Sequence, residues 1–283
     1  MRNRSLIYYL LLILLLSGTG CEKYIPFVNA PVFEQKLVIT SFISPSDTLS
    51  RIYVSSNQRL YGFTEQPEYP GDLTGTISDG TNEIELDTTS FGLSFSHDRM
   101  PVIPGKTYTL KVASSNGLYA EATATVPQQR EILIKVDTTT RETDDYMTVS
   151  ILALDIELTD YPGEKNFYNV IGKLTGYKST SNQNSIKSIR YWFEYIDDKV
   201  ASPDNRIKLE SWEVPSLNNY DSAFIDIILL NTEESYYRYH KSLKNYDSGD
   251  NPFSEASPVY SNIEGGLGIF TSYTVDSLVF RLK

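Results

Sequence analysis

"PGKTYTLKV" (Pro104–Val112) and "YAEATATV" (Tyr119–Val126) decide how this chain is read. In the first, a Pro-Gly turn precedes a run in which Tyr108, Leu110 and Val112 face one way and Thr107, Thr109 and Lys111 the other. In the second, Ala120, Ala122, Ala124 and Val126 take every other position. Strand side chains alternate between faces, so this period marks strands with one dry face.

The same reading extends on both sides. "LTGTI" sets Leu73 and Ile77 on one face, Asp79-Gly80 supplies a turn, and "EIEL" returns with Ile84 and Leu86 inward, a hairpin signature. "KLVITSFI" (36–43) is an apolar strand. Beyond Pro127-Gln128-Gln129 come longer runs: "EILIKV" (131–136), "SILALDIEL" (150–158), "FYNVIGKL" (167–174), "RYWFEYI" (190–196), "RIKLESWEV" (206–214) and "AFIDIILL" (223–230). The expected fold is therefore mainly β. An Ig-like or transthyretin-like antiparallel sandwich over 36–128 precedes a second antiparallel β domain over 129–283.

One segment departs from period two. In "NTEESYYRYHKSLKNY", Tyr236, Tyr239, His240, Leu243 and Tyr246 recur at helical spacing. Asn231 is the expected N-cap, with Glu234 three residues on. The spacing predicts one helix near 232–246, packed on the second sheet by its aromatic stripe.

The N-terminus carries Arg2 and Arg4, an uncharged apolar stretch from Leu6 to Leu16, small residues, and then Cys21, the only cysteine. This is a signal-peptide pattern over 1–20, and its apolar run is shorter than the roughly 20 residues of a spanning helix. Cys21 after Gly-Thr-Gly resembles the lipobox of bacterial lipoproteins, although Gly18 stands where Leu is more usual. That resemblance implies acylation of Cys21, with 21–35 as a tether. Removing residues 1–20, with two arginines and no acid, leaves 23 basic against 36 acidic residues, about −13. Such a body lacks the basic footprint of a nucleic-acid binder, so none is expected as a partner.

The chemistry-bearing candidates thin out on inspection. "IEGGLGIF" lacks the third glycine of a dinucleotide fingerprint and is followed by a strand pattern, "IFTSYTV". Its glycines are expected to permit a bulge or a close backbone contact. Gly105-Lys106-Thr107 imitates a phosphate loop, but position 100 is Met. The two histidines, His97 and His240, lack metal-ligand spacing, so no zinc site is expected. Asp144-Asp145 and Asp197-Asp198 sit in polar stretches, where neighbouring strand residues point apart. Asp247, Asp250 and Asn251 are weak calcium candidates without helix-loop-helix spacing. A hydrolase needs one of the two histidines beside a serine and an acid brought from elsewhere in the chain. No catalytic residue, cofactor or metal is assigned.

The tyrosine-rich helix segment, "NPFSEASPVYSNIEGGLGIFTSYTVDSLVF", the "LVITSFIS" strand and the "PGKTYTLKV" turn together resemble a family of Bacteroidota outer-membrane lipoproteins known only as a domain of unknown function (DUF4249). The resemblance covers nearly the whole chain. Its members are often encoded beside TonB-dependent outer-membrane receptors, which implies an accessory role at such a transporter. The expected protein is a non-catalytic lipoprotein, held at either side of the outer membrane through Cys21. The alternative is a glycan- or peptide-binding module using exposed aromatics, with Tyr191 and Trp192 as candidate ligand-binding residues.

Overall fold

Strands β7 (Thr107–Ser114) and β8 (Tyr119–Thr125) form a hairpin whose register sets Tyr108 against Ala124, Leu110 against Ala122 and Val112 against Ala120. Large side chains face small ones across the pair, and all six are at most 3% exposed. Tyr108 anchors the entry to β7: its hydroxyl donates to the Pro101 carbonyl (2.6 Å) and accepts from the Ile103 N–H (2.8 Å). A buried tyrosine hydroxyl bonded to backbone a few residues upstream is the tyrosine corner of Ig-like sandwiches. The computed structural model describes residues 33–58, 71–129, 133–143, 149–180, 183–247 and 258–283. Among these residues it is mainly β, with sheets that are antiparallel except for one strand pair, and one α-helix.

β3 (Leu73–Ser78) pairs with β7 and, through the Asp79-Gly80 turn, with β4 (Glu83–Glu85), giving a four-stranded sheet in the order β4-β3-β7-β8. Asp79 holds that turn by accepting from the Thr81 and Asn82 N–H groups and from Lys106 Nζ. The Lys106 bond and those amides keep its carboxyl well below the usual range. After Glu85 the chain changes sheets. Leu86 donates its N–H to Gly75, and β5 (Asp87–Thr89) pairs instead with β6 (Gly92–Ser96).

β1 (Leu37–Ile43), β2 (Leu49–Ser56), β5 and β6 join β11 (Phe167–Thr180), β12 (Gln183–Asp197), β14 (Ser222–Thr232) and β15 (Leu267–Arg281) in one sheet. This eight-stranded sheet is ordered β12-β11-β14-β15-β1-β2-β6-β5. A third sheet of three strands contains β9 (Ile134–Thr143), β10 (Val149–Thr159) and β13 (Arg206–Glu210). Residues 211–214, expected as strand, continue beside β10 through Ser211 and Val214 N–H bonds without strand geometry.

The four-stranded and three-stranded sheets pack on one face of the long sheet and enclose two cores. The first draws on β1, β2, β6 and the four-stranded sheet, with Leu37, Ile39, Phe95 and Tyr108 fully buried. The second joins β10, β11, β12 and β14, with Leu154, Val170, Ile225 and Ile227 fully buried. Burial of each such side chain contributes about 1.5–3 kcal/mol. A division near residue 128 separates the two cores, except that Ile263 and Phe270 join the first. It does not separate two sheets, because β15 lies parallel to β1, with Ile39 opposite Gly268 and Ser41 opposite Phe270.

The helix α1 (Glu234–Asp247) covers the opposite face of the long sheet. It starts later than expected. Asn231 is still within β14, where its side-chain amide donates to the Gln128 carbonyl. Glu233 is the cap: its carbonyl accepts from the Tyr236 and Tyr237 N–H groups. The aromatic stripe packs inward through Tyr236, but Tyr246 at its end is 55% exposed.

Candidate functional site

The first candidate lies beneath α1. Phe42 of β1, Tyr195 of β12 and Tyr273 of β15 project from the sheet toward Tyr236, Tyr239 and His240. The His240 imidazole lies 4.2 Å from the Tyr236 ring and 5.0 Å from that of Tyr195, stacked on both. Its Nδ1 donates to the Tyr236 carbonyl at 2.9 Å. Burial lowers its pKa from the ordinary value, so the ring is a neutral aromatic plate. Asn169 donates to the Tyr236 hydroxyl at 2.9 Å, and its Oδ1 has no partner among the described residues. At the helix start, Glu233 accepts from the Thr125 N–H (3.2 Å) and the Thr271 hydroxyl (3.1 Å). Burial raises its pKa. The carboxylate thereby ties β8, β15 and α1 together. This cluster pins the helix to the sheet. Among the described residues, no serine or carboxylate hydrogen-bonds His240.

His97 does meet a serine. Its Nε2 lies 2.8 Å from Ser50 Oγ, the ring stacks on Phe95, and the Asp47 backbone provides a further hydrogen bond. Burial lowers its pKa too. Nucleophilic catalysis needs an accessible hydroxyl and an oriented base. Ser50 is 1% exposed, and the imidazole is hydrogen-bonded by the Asp47 backbone, with the Asp47 and Asp98 carboxylates acting on it through their charge alone. The pair closes the end of the first core.

The residues singled out by sequence fall elsewhere. Cys21, Asp144-Asp145, Asp250 and Asn251 lie outside the described residues. The β11–β12 register passes from Gly172–Trp192 to Lys173–Arg190, so Tyr191 is the extra residue of a β-bulge. Its side chain is outside the description. Trp192 lies in the second core at 2% exposure, so it offers no face to a ligand in this packing. Asp197 caps a 3-10 turn by accepting from the Lys199 N–H, and Asp198 accepts from the Asn166 N–H. The "GGLG" stretch is a backbone crossing: a Cβ at Gly265 would lie 2.7 Å from the Tyr119 carbonyl oxygen, and one at Gly266 2.8 Å from that of Leu37.

Two clefts open on outer sheet faces. One, about 500 Å3, lies on the four-stranded sheet and is lined by Thr74, Thr76, Glu85, Lys111, Ala113 and Tyr119. The other, about 460 Å3, lies on the three-stranded sheet among Lys135, Asp155, Glu157, Arg206 and Lys208. The second satisfies part of its own charge, with Glu157 bonded to Arg206 at 3.2 Å and paired to Lys135 at 3.6 Å. No sequence motif marks the first. Its residues come from four separate strands, and only their shared outward parity hinted at a common face.

Among the described residues, no group of His, Cys, Asp or Glu is arranged to hold a metal ion, and no helix is long and apolar enough to cross a membrane. The profile of the family described as "Domain of unknown function (DUF4249)" matches residues 23–278. The chain belongs to the DUF4249 family. The match takes in both cores, the helix and the glycine crossing, so the parallel β1–β15 pair falls within the DUF4249 region. Comparison with curated proteins gave no match.

Proposed function

We propose that this chain is a non-catalytic lipoprotein of a Bacteroidota outer membrane, anchored through Cys21, and that it acts as an accessory partner of a TonB-dependent transporter. One observation carries the reading: the lone cysteine ends a charged-then-apolar leader and stands two residues before the family match begins at residue 23. Acyl chains on that thiol anchor through about 0.8 kcal/mol per buried methylene. The acidic body adds no attraction to anionic lipid, so tethering rests on the lipid.

Mass spectrometry of the N-terminal peptide of the native protein tests the anchor, with a diacylglyceryl-modified Cys21 expected; an unmodified thiol together with recovery in the aqueous fraction would overturn it. Affinity purification from detergent-solubilised outer membranes tests the partnership. A TonB-dependent receptor is expected to co-purify, and recovery of the chain alone counts against that role while leaving the anchor standing.

A further inference from the structure

We propose that the cleft on the outer face of the four-stranded sheet binds a neutral saccharide, with Tyr119 as its stacking platform and Lys111 and Glu85 as the groups that bond its hydroxyls. The proposal is independent of the anchoring reading.

The cleft follows from the register. Thr74, Ala113 and Tyr119 form one row across β3, β7 and β8, and Glu85, Thr76, Lys111 and Glu121 form the next across β4, β3, β7 and β8. Ala113, with only a methyl group, leaves a hollow between its larger neighbours. Tyr119 walls this hollow and is 49% exposed. Its hydroxyl donates to Glu121 at 2.6 Å, which holds the ring in place. A fixed aromatic ring loses little freedom when a ligand stacks on it. At about 500 Å3 the cleft is within the range of small-molecule sites, roughly 300–1,000 Å3.

Charge selects the ligand class. Neither the Lys111 nor the Glu85 side chain makes a salt bridge or hydrogen bond among the described residues; the Arg99 guanidinium donates only to the Glu85 backbone carbonyl. One is a donor and the other an acceptor, on either side of Thr76 in the same row. An anion in the cleft would meet Glu85 and Glu121, and a cation would meet Lys111. A vicinal diol suits both, since each hydroxyl donates and accepts, and bonds to charged groups are the stronger kind. The apolar C–H face of a pyranose then meets the tyrosine ring. An added peptide strand, by contrast, needs a free row of backbone groups. This cleft lies mainly over a sheet face, and on the β8 edge Glu121 already exchanges backbone hydrogen bonds with Glu264.

The test is calorimetric titration of the full chain, in a detergent without a sugar head group, with cellohexaose, maltohexaose, xylohexaose, mannohexaose and laminarihexaose. At least one is expected to bind. Tyr119→Ala is expected to weaken that binding at least tenfold, whereas Tyr119→Phe, which keeps the ring, weakens it less. Lys111→Ala and Glu85→Gln, both surface changes, are each expected to weaken it several-fold and serve if Tyr119→Ala fails to fold. Trp212→Ala, remote in sequence and likewise an exposed aromatic, is the control and should bind as the parent does. The proposal is overturned by an absence of heat for every hexasaccharide at millimolar concentration. It is equally overturned by binding that Tyr119→Ala, Lys111→Ala and Glu85→Gln leave unchanged, or by binding of an Ala-Ser-Thr hexapeptide in place of any sugar.

Discussion

Gly268 lies opposite Ile39 in the parallel β1–β15 pair, so close that a Cβ at this position would overlap the Ile39 carbonyl oxygen. Its φ of +104° is also one that L side chains rarely adopt. Gly268→Ala therefore meets both a backbone penalty of about 1–3 kcal/mol and a steric clash at the strand joining the two cores. A loss of at least about 3 kcal/mol is expected from urea unfolding. Gly80→Ala is the control: φ there is +83°, but nothing lies within 4 Å of the added Cβ. It should cost only about 1–2 kcal/mol. Equal losses for the two variants would mean that the close approach has no energetic consequence.

Tyr108 gives a second measurable quantity. Tyr108→Phe keeps the ring in the first core but removes a hydroxyl bonded to both Pro101 and Ile103. The Ile103 N–H and the Pro101 carbonyl then lose a partner, at about 1–3 kcal/mol. At roughly 2–4 °C per kcal/mol for a domain of this size, the melting temperature should fall by several degrees. An unchanged melting temperature would show that water replaces the hydroxyl at no cost.

The two histidines contribute to the response to mild acid. Burial lowers both pKa values below the ordinary 6.5. A proton is then taken up by the unfolded chain first, so the unfolded state binds more protons in this window. The stability contribution is present in full above about pH 6.5 and is lost as pH falls through the lower, folded-state values. His240→Phe retains a ring between Tyr195 and Tyr236 and cannot titrate. The parent should lose stability relative to His240→Phe as pH drops from 7.5 to 5, read from urea midpoints. A pH-independent difference would place a solvated imidazole at residue 240.

What the sequence discloses and what it hides divide along contact range. The alternation in 107–126 names the inward residues correctly because period two is a property of a single strand. "GGLG" was legible as a close backbone approach because only glycine tolerates one. The pairing of β1 with β15 was not, since it joins opposite ends of the chain and no local pattern encodes it. Asn231 has the right spacing for a capping box, yet the sheet extends through Thr232 and engages Asn231 with Gln128, so Glu233 becomes the cap. The hairpin return "EIEL" hid a change of sheet at Leu86, where a tertiary hydrogen bond to Gly75 decides the path. In the candidate sites, Tyr191 and Trp192 were recognisable as strand aromatics, but which face was dry depended on sheet packing. No local pattern marks Tyr119, because the neighbours that complete its cleft come from three other strands.

The two tryptophans report this difference in burial directly. Trp192 is 2% exposed within the second core, whereas Trp212 is 58% exposed and touches Phe193 edge-on at 6.0 Å. Trp212→Phe leaves only Trp192, so its emission should be blue-shifted and resist acrylamide until the protein unfolds. Trp192→Phe leaves Trp212, whose emission should be red-shifted and readily quenched in the native state. Trp192→Ala should also cost about 3–5 kcal/mol, the range for truncating a large buried aromatic. Trp212→Ala, on the surface, should stay within about 0.5 kcal/mol of the parent. Efficient quenching of Trp192 in the folded Trp212→Phe protein would put that indole at the surface, within reach of a ligand. Inefficient quenching with a large loss on truncation would fix Trp192 as part of the core between the long sheet and the three-stranded one.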